Sequence, residues 1–351
     1  MSSEPEVLFE NLAPAGYITL NRPKALNALT HDMCLAIKAQ LDAWRDDDEI
    51  ERVVIRAAGD RAFCAGGDIR TLYESGKAGT SYALDFYRDE YILNATIKHY
   101  PKPYIAMVRG IVMGGGVGVS VHGNYRVADE STLFAMPETG IGLFPDVGGS
   151  YFLPRMPGEI GLYLALTGAR LKTEDCVYAG VATHFVPAAK WGELGDLLLE
   201  TFEDVTPLAE LFAGLPDPVT RTLPSLVEHR EKIDAHFAAD SVEAILDALD
   251  ADASDWARET AKTIRAKSPI ATKLAFRQIR EGKNLNFDDC MRMEFRMVSR
   301  VVAGRDFYEG VRAAIIDKDQ SPKWQPSRLE DVSDKDIDAY FAPLGDRELK
   351  L

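Results

Sequence analysis

The sequence predicts an α/β layered fold followed by a mostly helical C-terminal region, on three observations. Through the first half, short β-branched runs alternate with amphipathic helical stretches, as in a domain of layered sheet and helix. Two glycine-rich segments each follow one of those runs. From about Thr206 onward Glu, Asp, Ala and Leu dominate and strand signals vanish.

Gly16-Tyr-Ile-Thr-Leu20 alternates as a short strand and leads into the polar turn Asn21–Leu29, which contains Pro23. Thr30 is placed to cap a helix with Asp32 in its first turn. Met33, Ile37, Leu41 and Trp44 recur at helical spacing and give that helix one apolar face, and the acidic run Asp46–Glu49 ends it. Arg52-Val-Val-Ile-Arg56 and Pro103-Tyr-Ile-Ala-Met-Val108 read as buried strands. Beyond Thr206, Val242, Ile245, Leu246 and Leu249 share a helical face, and Ile270, Leu274 and Ile279 do so less regularly. Helix is therefore expected over about 206–325, and the proline-containing tail carries a short amphipathic stretch at Ile337–Phe341.

Composition bounds the function. The 351 residues suffice for one large domain or two smaller ones, and 46% hydrophobic with 27% charged residues is the make-up of a soluble enzyme. A formal net charge of -15 repels nucleic-acid phosphates and would repel an anionic substrate, so any phosphate site must be a local basic patch. The four cysteines, Cys34, Cys64, Cys176 and Cys290, are too scattered for a disulfide framework and read as free thiols. The six histidines show no metal-ligand spacing. The acidic start lacks the marks of a secretory or transit segment, and no 18-residue apolar run is present, so a cytoplasmic protein with no membrane span is expected.

The glycine segments are Arg61-Ala-Phe-Cys-Ala-Gly-Gly-Asp-Ile-Arg70 and Gly110-Ile-Val-Met-Gly-Gly-Gly-Val-Gly118. Neither has the order of a dinucleotide fingerprint or the Gly-Lys-Ser/Thr of a P-loop. Glycine here permits close backbone approach, and two amides converging on one oxygen would make an oxyanion hole. These loops, with Leu20–Leu29, Phe134-Ala-Met-Pro-Glu-Thr-Gly140 and Ser321-Pro-Lys-Trp324, occur in an order that resembles the crotonase (enoyl-CoA hydratase/isomerase) superfamily over nearly the whole chain. Within it the chain is most similar to the branch that hydrolyses 3-hydroxyisobutyryl-CoA. The likeness is through Met136-Pro-Glu-Thr-Gly-Ile-Gly-Leu-Phe-Pro-Asp-Val-Gly-Gly149 and through extra helical sequence at about 205–255.

The resemblance implies a crotonase-like spiral of ββα repeats over 1–204 with a helical region over 205–351. It implies that the Gly67 and Gly115 amides hold the thioester oxygen, Glu138 is the catalytic carboxylate and Asp146 is the second acid. Asp146 could equally cap a helix ahead of Val-Gly-Gly, and Glu138 in a loop could be a solvated charge. Glu90 aligns with a substrate-contacting carboxylate, against the plainer reading of a helix-surface charge. Lys24, Arg61, Arg70 and Lys323 match positions that receive the CoA phosphates, and Ala65 and Ile69 positions beside the adenine. His122, expected on the helix after the second glycine loop, reads as a packed histidine rather than a base.

One departure is informative. Hydratases of the superfamily carry a glutamate where this chain has Gly118, and a glycine does no acid–base work. The resemblance thus implies thioester hydrolysis by Glu138, as nucleophile or as base for a water, with neither metal nor redox cofactor and with CoA as part of the substrate. The rival readings are a hydratase or isomerase reaction and a non-catalytic acyl-CoA-binding protein. The family also implies a homo-oligomer built on trimers, which the extra helical sequence could block or replace.

Overall fold

The computed structural model describes residues 4–200 and 224–351. Two compact units interleave along the sequence: Met1–Gly67, Leu93–Phe134 and Leu171–Val227 form the first, and Asp68–Ile92, Ala135–Arg170 and Glu228–Leu351 the second. The division expected from the sequence is a single cut between 204 and 205, a point outside the described residues, as is the first part of the extra helical sequence.

The larger sheet orders β1 (Val7–Leu12), β2 (Ala15–Leu20), β3 (Arg52–Ala57), β5 (Tyr104–Val108), β7 (Tyr125–Ala128) and β10 (His184–Phe185). β1 and β2 form an antiparallel hairpin, and every later pairing is parallel. The smaller sheet orders β4 (Ala62–Cys64), β6 (Ile111–Met113), β8 (Leu133–Ala135) and β9 (Leu171–Lys172). Each coil of the chain gives one strand to the larger sheet and the next to the smaller: β3 then β4, β5 then β6, β7 then β8. Helical segments follow each pair, which is the expected spiral of ββα repeats.

The run at 52–56 is the buried strand its composition predicts, since Val53, Val54 and Ile55 are wholly buried. The first helix spans His31–Arg45, with the Thr30 hydroxyl accepting the Met33 N–H at 3.2 Å. Met33, Ile37, Leu41 and Trp44 are its buried face. Trp44 rests on the sheet at Gly16, where a Cβ would lie only 2.8 Å from the indole ring. The helix expected after the second glycine loop is shorter than the sequence implied. It covers Gly115–Gly118 alone, since a glycine run has little helix propensity, and buried His122 lies in the turn before β7.

The helical reading of the C-terminal region agrees with its described part. Helices span Val242–Ala251, Asp255–Arg265, Pro269–Gly282, Phe287–Val301 and Asp334–Phe341, each started by a Ser or Asn side chain that accepts a backbone N–H. Val242, Ile245, Leu246 and Leu249 are all buried, as are Ile337 and Phe341. No helix among the described residues is long and apolar enough to cross a membrane.

Candidate active site

In the first unit the two glycine loops lie side by side. β4 and β6 pair in parallel just before them, and a Cβ on Gly66 would lie 3.9 Å from the Gly115 nitrogen. Gly66 has φ +115°, a conformation open to glycine, and a Cβ on Gly116 would meet the Cys64 carbonyl. The turn 21–29 braces the first loop. The Ala65 N–H donates to the Leu26 carbonyl at 3.0 Å and the Leu29 N–H to the Gly66 carbonyl at 2.9 Å. Buried Asn27 ties the same turn to the strand ahead of the loop, its Nδ2 donating to the Ala58 and Ala62 carbonyls at 3.0 and 2.9 Å. Among the described residues, neither the Gly67 nor the Gly115 amide donates a hydrogen bond within the chain, and Gly115 opens its helix, where an N–H has no intrahelical partner. Exposed Lys24 and Arg61 flank this braced loop, and Ala65 is half-buried within it.

The acids belong to the second unit. Glu138 begins a tight 3-10 turn, Glu138–Ile141, directly after Pro137. It is only 5% exposed, and its Oε2 is buried with no hydrogen-bond partner among the described residues, so it is no solvated loop charge. Asp146 is 3% exposed and its Oδ2 accepts the Tyr91 hydroxyl at 3.0 Å. It is not a side-chain cap: the helix Gly149–Phe152 has Gly148 at its N-cap and no side-chain cap bond. Glu90, 2% exposed with Oε1 unpartnered among the described residues, is likewise no helix-surface charge. Ile69 and exposed Arg70 open the helix Ile69–Ala78, and Arg70 reaches the Ile315 carbonyl at 3.4 Å. Lys323 is exposed, and its amide donates to Glu309 at 2.7 Å.

Several residues here were not read from the sequence. Tyr87 and Tyr91 are two of them; Tyr87 lies three residues before Glu90 and four before Tyr91 on the helix Tyr82–Lys98, so it shares a face with both. The Tyr87 and Tyr91 rings meet edge-on at 6.0 Å between centroids. From the helix Phe287–Val301, buried Glu294 accepts the Gly148 N–H at 2.9 Å, the Ser150 N–H at 2.9 Å and the Ser150 hydroxyl at 2.5 Å. Gln278 donates to the Pro145 carbonyl at 2.6 Å. Two helices thus clamp the segment 145–150, and within it Val147 is held at φ +51°, a costly conformation for a β-branched side chain. Lys267 lies beside the Glu138 turn, its Nζ 3.4 Å from where a Gly140 Cβ would be. The signal available for Glu294 was a carboxylate on an apolar helix face, four residues from both Cys290 and Val298. Lys267 had none.

Burial sets the electrostatics. Loss of water pushes Glu138 well above the usual carboxylate range and the nearby Asp146 charge pushes further, while Lys267 pulls it back. Glu90 is raised well above its ordinary value by burial and by the charges of Asp146, Glu294 and Glu138. Burial lifts Asp146 to about 7 against the Tyr91 hydrogen bond, and lifts Glu294 to about 8 against its three donors. Carboxyls crowded in a dry region cannot all ionise near neutral pH, so they hold protons between them and supply both a base and an acid.

Comparison with known proteins fits this geometry. The family model for enoyl-CoA hydratase/isomerase matches residues 15–341. The mitochondrial 3-hydroxyisobutyryl-CoA hydrolase of Danio rerio is 53% identical over 99% of this chain and 92% of its own length. Its counterpart in Xenopus tropicalis is 50% identical over 99% and 91%. A crystal structure described as a carnitinyl-CoA dehydratase from Mycobacterium thermoresistibile superposes with a TM-score of 0.91 at 42% identity, covering 98% of each chain. The expectation of a cytoplasmic location is overturned, because these hydrolase relatives are mitochondrial proteins. Reduced thiols and an acidic start bound the redox environment and do not name a compartment.

Proposed function

The chain belongs to the enoyl-CoA hydratase/isomerase family, and on that premise we propose that it hydrolyses 3-hydroxyisobutyryl-CoA, or a closely similar short 3-hydroxyacyl-CoA, to the free acid and CoA, a step of valine degradation. The observation that carries the reading is the dry pair Glu138 and Asp146 in a chain with glycine at 118. The pair offers a base and an acid for acyl transfer to water. Gly118 is buried and has no side chain to serve the second carboxylate's part in hydration.

In the reacting form Glu138 is the anion, a state that the Lys267 charge favours and that burial and the Asp146 charge oppose. Glu138 attacks the thioester carbon to give a mixed anhydride, or takes a proton from an attacking water. Either way the C–S bond breaks, the CoA thiolate leaves and is protonated, and the second oxygen of the acid comes from water. The Gly67 and Gly115 amides, unused among the described residues, are assigned the developing oxyanion, where one such donor is worth about 3–4 kcal/mol of barrier. Glu90 is assigned to the acyl group. Lys24, Arg61, Arg70 and Lys323 are assigned to the CoA phosphates, and Ala65 and Ile69 to the adenine. The scheme needs neither metal nor redox cofactor. A trimer-based homo-oligomer is part of the same reading, and light scattering measures it.

The dehydratase description of the Mycobacterium thermoresistibile structure keeps a hydration-type reaction as the second reading. One assay separates the two: appearance of free thiol from 3-hydroxyisobutyryl-CoA, run beside loss of the conjugated enoyl absorbance of crotonyl-CoA. Thiol release with little hydration is expected, and rapid hydration without thiol release would overturn the hydrolase reading.

A further inference from the structure

Tyr87 is an anomaly that the scheme above leaves unused. Its side chain is buried, and its hydroxyl has no hydrogen-bond partner among the described residues. The ring is fixed edge-on between Phe86 and Tyr91, with centroids 5.5 and 6.0 Å away. Packing alone would be served equally by phenylalanine, which would bring no polar atom into a dry region. An unsatisfied buried hydroxyl in a native structure calls for an explanation, and a ligand group that it meets on binding supplies one.

Its neighbours narrow the ligand. Tyr91, one helical turn on, already donates its hydroxyl to Asp146 at 3.0 Å, so the second acid is served without Tyr87. Glu90, three residues on and on the same helix face, also has a buried oxygen with no partner among the described residues. Two polar groups on one face, each short of a partner, match a ligand group that both donates and accepts. An alcohol does this, and a methyl group or an alkene carbon does neither.

We propose that Tyr87 is a specificity-determining residue that hydrogen-bonds the 3-hydroxyl of the acyl group, with the Glu90 carboxyl bonded to the same hydroxyl. The proposal rests on the hydrolase reading and deepens it, giving the preference for a 3-hydroxy acid a physical origin. A substrate lacking that hydroxyl leaves both side chains buried and unpaired, the most discriminating arrangement open to a binding site.

The test compares thiol release from 3-hydroxyisobutyryl-CoA and from isobutyryl-CoA by the full chain and by Tyr87→Phe, with a thermal melt to establish that the variant is folded. The unaltered protein is expected to prefer the hydroxylated thioester in kcat/KM. Tyr87→Phe is expected to lose about 10–10²-fold of that preference, with the loss falling on the hydroxylated substrate. An unchanged preference in a folded variant overturns the proposal, and so does an equal loss on both substrates, which would move Tyr87 to the reacting centre. Should Tyr87→Phe not fold, Tyr87→Met and Tyr87→Leu read the same ratio. If the unaltered protein hydrates crotonyl-CoA and releases no thiol from either substrate, the hydrolase reading itself falls before any variant is made, and this proposal falls with it.

Discussion

Glu138 and Asp146, the carboxyls assigned to the chemistry, are uncomfortable where they sit: each is held away from water and raised by burial. Replacing Glu138 with Gln keeps the shape and removes the base or nucleophile. General acid–base catalysis is worth ~10²–10⁴-fold, so kcat for thiol release should fall by at least ~10²-fold with KM little changed. A Glu138→Gln protein with near-normal turnover would sink the mechanism. The same discomfort has a signature in stability. Asp146 is raised from 3.8 to about 7 on folding, so between those values the folded state binds the proton and the unfolded state does not. Stability linked to this group is therefore full below about pH 4 and is lost as pH rises through about 7. Asp146→Asn removes the ionisation, so its melting temperature should exceed that of the unaltered protein at pH 8, and the gap should close toward pH 4. A tenfold change in proton affinity corresponds to about 1.4 kcal/mol, which puts the gain at a few kcal/mol. A melt difference independent of pH would show that Asp146 is not held in this way.

Among the elements, the helix Phe287–Val301 does for the site what no local segment could. Through Glu294 it takes three donors from the Gly148–Ser150 turn, next to strained Val147 and Asp146. Glu294→Ala would leave two N–H groups and a hydroxyl buried without an acceptor, at roughly 1–3 kcal/mol each. A clear drop in melting temperature is expected, together with a fall in kcat larger than any rise in KM as Asp146 loses its place. Glu294→Gln, which keeps one acceptor, should fall between. Melting and turnover both at the unaltered level in Glu294→Ala would remove this brace. The same element marks where sequence reading stopped. The strand near 16–20 was legible from its alternation, those at 52–56 and 103–108 because continuous buried runs announce themselves, and the first helix because four apolar residues and a threonine cap agree. β4, β6 and β8 were not, since three residues carry no period and exist as strands only through their pairing. Likewise Glu90, Glu138 and Asp146 were found through motif likeness. Tyr91 acts on a carboxylate 55 residues away and Glu294 on a turn 144 to 146 residues away, distances no local pattern encodes.

At the scale of the whole molecule, a net charge of -15 opposes an anionic CoA ester, so binding must rest on a few local cations that outweigh the general field. Lys24, Arg61 and Arg70 are all exposed, so each keeps its charge at the surface, where a phosphate can reach it. Attraction at such short range and repulsion from the rest of the surface respond to salt in opposite directions, because screening over about 8 Å at physiological ionic strength weakens both. In the unaltered protein the close contacts dominate, and KM should rise as salt is added. Replacing all three with Gln removes the attraction and leaves the repulsion. KM should then be higher at low salt with kcat little changed, since these residues are assigned to the part of the substrate that does not react. Added salt should lower that KM or leave it flat, reversing the slope. The reversal is the informative readout: a damaged fold would lower kcat and would not change the sign of the salt dependence. A triple variant whose KM matches the unaltered protein at every ionic strength would take these cations out of the CoA site and leave the binding of an anionic ester by an acidic protein to other residues.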